Sequence, residues 1–181
     1  MPSLTPSFLN NLQDDYKKYP YFIETGTYNG DTTFAFEPLF NKVYTIEFSE
    51  KYHNQTKNNY HGNKIDFILG DSSIVFESLL PTITDNSIFF LDGHWSGGET
   101  GKSSKDCPLE EEIAHINHLF KHDAILIIDD YRLFGLDTGG DWTDISKDKL
   151  LSLLGTRVHK VYHLDSECSK DDRLIIHIRA I

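Results

Sequence analysis

The chain has 181 residues, 39% hydrophobic and 25% charged, a composition that suits one globular domain over residues 1–181 and excludes a disordered or fibrous polymer. Its formal net charge of −11 argues against a nucleic-acid partner, because phosphate binders carry basic patches that release counterions. No stretch approaches the ~18 apolar residues of a membrane span, no basic-then-apolar leader opens the chain, and Cys107 and Cys168 make neither a disulfide framework nor a zinc motif, so a cytoplasmic protein without a membrane partner is expected.

Short apolar runs alternate with longer helical patterns, the mark of βα units around a mainly parallel sheet. A strand is predicted over 21–24 and a helix over 32–40, then strand 43–48 and helix 49–60, strand 66–69 and helix 72–80. Strand 87–92 follows, and after a loop comes a helix over 108–120 with Pro108 in its first turn, where the missing N–H costs little. A fifth strand over 124–129 leads through a loop rich in Gly and Asp to a helix near 143–154. Runs 158–164 and 173–178, joined by the polar segment 165–172, predict a hairpin that closes the sheet. The predicted fold class is a doubly wound, Rossmann-like α/β sheet of seven strands, mainly parallel with a C-terminal antiparallel hairpin. This plan resembles that of class I methyltransferases over nearly the whole chain.

Residues 22–31 read F-I-E-T-G-T-Y-N-G-D, a strand running into a glycine turn that opens a helix. Gly26 permits a tight turn and Gly30 lets the helix start beside the strand. Glu24, at the strand's end, is placed to accept from a ligand ammonium or a backbone amide. The dinucleotide fingerprint G-x-G-x-x-G is absent, and a glycine turn after a strand also serves as a plain connection. The E-x-G-x-x-x-G spacing instead resembles motif I of methyltransferases, in particular of metal-dependent O-methyltransferases. The second strand ends on Glu47, 23 residues beyond Glu24, where an acid can take both hydroxyls of a ribose. Asp71 and Ser72 fall at the end of the third strand, as a helix cap by their chemistry and facing an adenine by the resemblance. The resemblance thus implies S-adenosyl-L-methionine as cofactor. It would be held by Glu24, Gly26, Thr27, Tyr28, Gly30, Asp31 and Thr32 of the first turn, Glu47 and Phe48 after the second strand, Asp71 and Ser72 after the third, and Asp92 after the fourth.

Carboxylates also end the fourth and fifth strands: Asp92 on one, Asp129 and Asp130 on the other. Adjacent strands lie about 5 Å apart, so the three acids can converge, and clustered anions call for a hard divalent cation, Mg²⁺ or Mn²⁺ rather than zinc. Acids that cap a turn or face solvent are the simpler alternative. The resemblance to catechol-type and macrolide-sugar-type O-methyltransferases implies the metal set Asp92, Asp129 and Asp130. His94, two residues after Asp92, suits a general base, so Asp92 and His94 are the candidate catalytic residues. A local structural histidine fits the same position. The lysine that catechol-type enzymes carry three residues beyond the fourth-strand Asp is replaced here by Trp95.

Residues 96–107, S-G-G-E-T-G-K-S-S-K-D-C, read as a loop over the sheet's carboxyl edge and lack the P-loop spacing, which excludes an NTPase. Trp95, Tyr131, Phe134 and Trp142 are candidate walls of a substrate cleft, with Phe134 assigned to the core. These observations favour a divalent-metal-dependent O-methyltransferase acting on a carbohydrate hydroxyl of a glycan or small molecule. The alternatives are a catechol-like acceptor, a nucleotide-binding oxidoreductase, or a non-catalytic module on the same fold. A short segment precedes the first strand, so a homo-oligomer whose second copy covers the pocket is one arrangement open to the chain.

Overall fold

The computed structural model describes residues 4–93, 107–137 and 142–181. Its strands are β1 (Tyr21–Thr25), β2 (Lys42–Glu47), β3 (Ile65–Leu69), β4 (Ser87–Leu91), β5 (Ala124–Ile128), β6 (Val158–Leu164) and β7 (Arg173–Ile178). The α-helices are α1 (Asp31–Phe36), α2 (Glu50–Asn59), α3 (Ser72–Leu79), α4 (Leu109–Leu119) and α5 (Lys147–Leu154). One seven-stranded sheet has the order β3-β2-β1-β4-β5-β7-β6, parallel from β3 to β5, with β7 antiparallel to β5 and β6. This is the predicted sheet and hairpin. The chain leaves β1 toward β2 and β3, then returns on the other side of β1 as β4, which makes the β1/β4 boundary the switch point where α/β sheets bind ligands.

Strand alternation builds two cores. Phe22, Ile88, Phe90, Ile125, Ile127 and Ile175 face one side and pack on Phe36 and Phe40. Ile23, Phe89, Leu91, Leu126, Ile128 and Ile176 face the other and meet Phe76, Ile113, Ile116 and Leu150 of the helices there. β4 and β5 are buried at every position and, apart from Ser87 at the start of β4, read as unbroken apolar runs, as central parallel strands do. Burying each such Phe or Ile contributes on the order of 2 kcal/mol, so these two strands anchor the sheet's edge where the site lies.

The N-terminal segment, for which the sequence suggests no regular element, forms 3-10 helices at Pro6–Asn11 and Tyr16–Lys18. They bury Leu4, Phe8, Leu9 and Leu12 against the first core. The helix expected over 32–40 stops as α-helix at Phe36 and continues as a 3-10 turn, Glu37–Leu39, because Pro38 has no N–H to donate. The helix expected from 143 starts at Lys147, where Ser146 caps it by accepting from the Lys149 amide at 3.2 Å. Arg157 is buried and donates to the main-chain carbonyls of Ile116, Asn117, His122 and Arg179, tying the last turn of α4 to the start of β5 and the end of β7. Among the described residues no helix is long and apolar enough to cross a membrane.

Candidate active site

The turn after β1 packs flush on β4. Gly26 has φ +87°, and a Cβ there would overlap the Asp92 carbonyl oxygen, so only glycine fits. Its amide donates to the Ile46 carbonyl at 2.9 Å. Gly30, at φ +82°, sets the start of α1, with Asp31 exposed and Thr32 buried in the first turn. Between them Tyr28 takes a left-handed φ of +47°, a costly conformation for a residue with a Cβ. Two contacts hold it: its amide donates to Glu47 Oε2 at 2.8 Å, and its ring lies 4.6 Å from that of Tyr52.

Glu47 is therefore fixed at the end of β2. Its other oxygen accepts from the Ser49 amide at 2.8 Å, and the residue is only 7% exposed. Each carboxylate oxygen has two acceptor sites, so among the described residues one per oxygen stays available for a diol. Two large apolar side chains left in solvent lie next to it, Phe48 directly after β2 and Leu69 at the end of β3, and Ile74 in the first turn of α3 is exposed as well. Leu69 is in register with Glu47. Phe48 was expected here. Leu69 and Ile74 were missed, although an isoleucine on the outer face of a helix's first turn was the available signal.

Other expected cofactor residues are turned inward. The pleat of β1 sends Glu24 to the face of Phe22, where Oε2 accepts from the Thr33 hydroxyl and from Thr45 Oγ1 at 2.8 Å, and Thr27 Oγ1 lies 2.6 Å from Thr45 Oγ1. Glu24 thus braces the turn from beneath rather than facing the open edge. Burial pushes its carboxyl up to about 7, the two hydroxyl donors opposing this only in part. Asp71 caps α3, accepting from the Ser73 amide at 3.0 Å and hydroxyl at 2.6 Å. Ser72 is buried and donates to Glu112 Oε1 at 2.5 Å.

On the other side of the switch point a small cleft is walled by Gly93, Cys107, Leu109, Glu112, Asp129 and Trp142. Glu112 went unnoticed in the sequence because E-E-E at a helix start reads as a dipole effect. Its spacing was the signal: Leu109, Glu112, Ile113 and Ile116 form one buried stripe. Trp142 is buried and stacks at 5.9 Å on Phe134, which packs on the core as expected. Tyr131 also packs on that core, 4.9 Å from Phe134. His94, Trp95 and the loop 96–106 lie outside the described residues.

Among the described residues the acids that converge are Asp129, Asp130 and Asp172, with oxygens within 4.8 Å of one another; Asp92 belongs to no such group of three. Two arginines are interleaved with them. Arg173 Nε donates to Asp129 Oδ1 at 3.2 Å, while Arg132 pairs with Asp130 and with Asp172 Oδ2, the latter at 2.5 Å. Asp172 also accepts from the Ser166 hydroxyl at 2.6 Å and the Arg132 amide at 3.1 Å. Burial raises the Asp129 carboxyl, and the Asp130 charge adds to this against Arg173. The guanidinium groups supply the positive charge that the sequence reading assigned to Mg²⁺ or Mn²⁺, and a hard cation would have to displace them. This donor set does not fit a metal cage.

No family model and no curated protein sequence matches the chain. Solved structures do. The chain is similar to the O-methyltransferase TomG from Streptomyces achromogenes, involved in tomaymycin synthesis and in complex with S-adenosylmethionine, at 14% identity and TM-score 0.60 over 91% of this chain and 75% of that one. It is similar to the magnesium protoporphyrin IX methyltransferase ChlM from Synechocystis PCC 6803 with bound S-adenosylmethionine, at 14% identity and TM-score 0.58, covering 96% and 76%. It is also similar to an rRNA methylase from Streptococcus thermophilus, at 18% identity and TM-score 0.55, covering 97% and 93%. The chain therefore has the Rossmann-like methyltransferase fold.

Proposed function

We propose that this protein is an S-adenosylmethionine-dependent methyltransferase that holds its cofactor across the ends of β1, β2 and β3 and its acceptor in the cleft between β4, β5 and α4. The observation that carries this reading is Glu47, a nearly buried acid aimed by the Tyr28 and Ser49 amides, with exposed Phe48 next to it in the chain and exposed Leu69 in register with it. An aimed carboxylate beside an apolar ledge suits a ribose diol joined to a planar base. The bare backbone at Gly26 lets the rest of such a ligand lie close to the sheet.

When bound, the cofactor supplies a methyl group on a positively charged sulfur. The protein's part is to orient the two reactants across the switch point and exclude water. Glu47 fixes the ribose, the apolar ledge covers the base, and the cleft walls hold the acceptor. A small-molecule acceptor fits better than RNA, because Glu112 and Asp129 on the cleft wall and a net charge of −11 repel phosphate. For a carbohydrate hydroxyl, the acceptor expected from the sequence, the cleft offers an aromatic wall in Trp142 and acceptors in its carboxylates. No step runs through a divalent metal, since the converging acids already pair with Arg132 and Arg173.

Calorimetry with S-adenosylhomocysteine, S-adenosylmethionine and NAD, each with and without Mg²⁺, tests the reading. Micromolar binding of the two adenosyl ligands, indifferent to Mg²⁺, is expected. NAD binding tighter than either would defeat it.

A further inference from the structure

We infer that residues 4–19 form a strap latched over the β6–β7 hairpin through His177, and that a proton on His177 opens the latch. The strap's two 3-10 turns lie on the first core, where Leu4, Phe8, Leu9 and Leu12 are buried. Beyond that apolar contact, the Gln13 amide donates to the Tyr162 hydroxyl oxygen at 2.9 Å, and Lys160 Nζ donates to the Gln13 carbonyl at 2.9 Å. The Tyr162 oxygen also lies 3.0 Å from Nε2 of His177, which is buried on β7. Because the Gln13 N–H can only donate, one proton order satisfies all three groups: Gln13 donates to Tyr162, and Tyr162 donates to a bare His177 nitrogen. The same strap reaches the candidate site, since the Phe8 ring lies 4.8 Å from the Arg173 guanidinium, whose Nε donates to Asp129 on the cleft wall.

An imidazolium reverses this order. Its Nε2–H has to donate to the Tyr162 oxygen, which already takes the Gln13 amide, and the Tyr162 O–H loses its acceptor. The charge also arrives in an unfavourable place. Burial disfavours it most, Lys160 and His159 of β6 repel it, and β5 presents apolar Ile125 in register with it. Asp14 of the strap attracts it, but that carboxylate is engaged by Lys18 at 2.8 Å and by Tyr19 at 3.0 Å. The latched His177 is therefore pushed down to about 4, against an ordinary value of 6.5. A base lowered in the closed state supports closure fully above pH 6.5 and withdraws that support as pH falls toward 4. Lifting Gln13 away lets water take the stranded O–H and hydrate the charge. Opening the strap costs less than unfolding, because the β4–β5 ladder does not run through it.

Amide hydrogen exchange of the full-length protein at pH 5, 6 and 7, corrected for intrinsic rates, tests this. The reporters are the Phe8, Leu12 and Gln13 amides, each hydrogen-bonded in the closed strap. Their protection is expected to fall about 20-fold from pH 7 to pH 5, the ratio set by values of 6.5 when open and about 4 when latched. At each pH they should exchange faster than the amides of Ile88–Leu91 and Ala124–Ile128, as local opening requires. His177→Gln keeps an acceptor for Tyr162 and takes no proton, so its strap should change less than about twofold over that range. Tyr162→Phe should loosen the strap about fivefold at pH 7 by removing the shared oxygen, and it decides the matter if the Gln variant does not fold. Strap protection independent of pH, an equal pH response in His177→Gln, or a strap that exchanges only in step with the central strands overturns the inference. Unchanged protection at pH 7 in Tyr162→Phe does the same.

Discussion

Glu24→Gln should stabilise the protein, and only above mildly acidic pH. The carboxyl lies beneath the glycine turn with Thr33 and Thr45 as its donors, and burial raises it from 4.5 to about 7. A raised carboxyl favours the protonated form in the fold. The native state is thus relatively most stable below pH 4.5 and loses that advantage as pH rises from 4.5 through 7. At 1.36 kcal/mol for each unit, the loss amounts to about 3 kcal/mol by pH 8. Gln keeps an oxygen for the two threonine hydroxyls and carries no charge, so the variant does not lose this stability. Urea unfolding of both proteins from pH 4.5 to 8 isolates the effect, because every other titrating group cancels in the difference. The variant's advantage should grow across that window and then level off, raising Tm by roughly 10 °C at pH 8. A difference that stays flat with pH would refute the argument.

Glu47→Ala should weaken S-adenosylhomocysteine binding by roughly 1–3 kcal/mol in calorimetry, since it removes the diol acceptor and releases the Tyr28 amide. His177 is held neutral by burial, its ring pushed down to about 4 with Tyr162 at 3.0 Å, so its contribution to stability is complete above pH 6.5 and is lost as pH falls from 6.5 to about 4. His177→Asn should remove that acid-side slope in urea titrations. Arg157→Met should cost about 3 kcal/mol by leaving buried carbonyls without a donor, with S-adenosylhomocysteine affinity unaffected.

The sheet was legible because strand burial leaves a direct trace: Ile88–Leu91 and Ala124–Ile128 are buried on both faces and cannot carry polar residues. The N-terminal 3-10 helices were not, since Leu4, Phe8, Leu9 and Leu12 acquire their role only by docking on a sheet formed by later residues. The tight turn at Gly26 and the strand-end position of Glu47 could be read from local spacing alone. The pairing of Asp129 with Arg173 could not, because β7 must first return antiparallel beside β5 to bring them together across 44 positions. The same return delivers Asp172 to Arg132 and turns an expected metal cluster into an acid–guanidinium lattice. Glu112 was hidden for the opposite reason, its local context supplying a sufficient explanation that was incomplete.

The Arg157 clamp sits where β5 begins and β7 ends, while Gly26, Glu47, Gly93 and Asp129 all stand at the other end of the parallel strands. The Arg157 clamp and the proposed site thus lie on opposite rims of one sheet. If the proposed site is correct, substitutions on its rim can alter what is bound without loosening the clamp, and added stability at the clamp rim need not stiffen the cleft. A scaffold divided in this way can change what it binds while its architecture stays fixed.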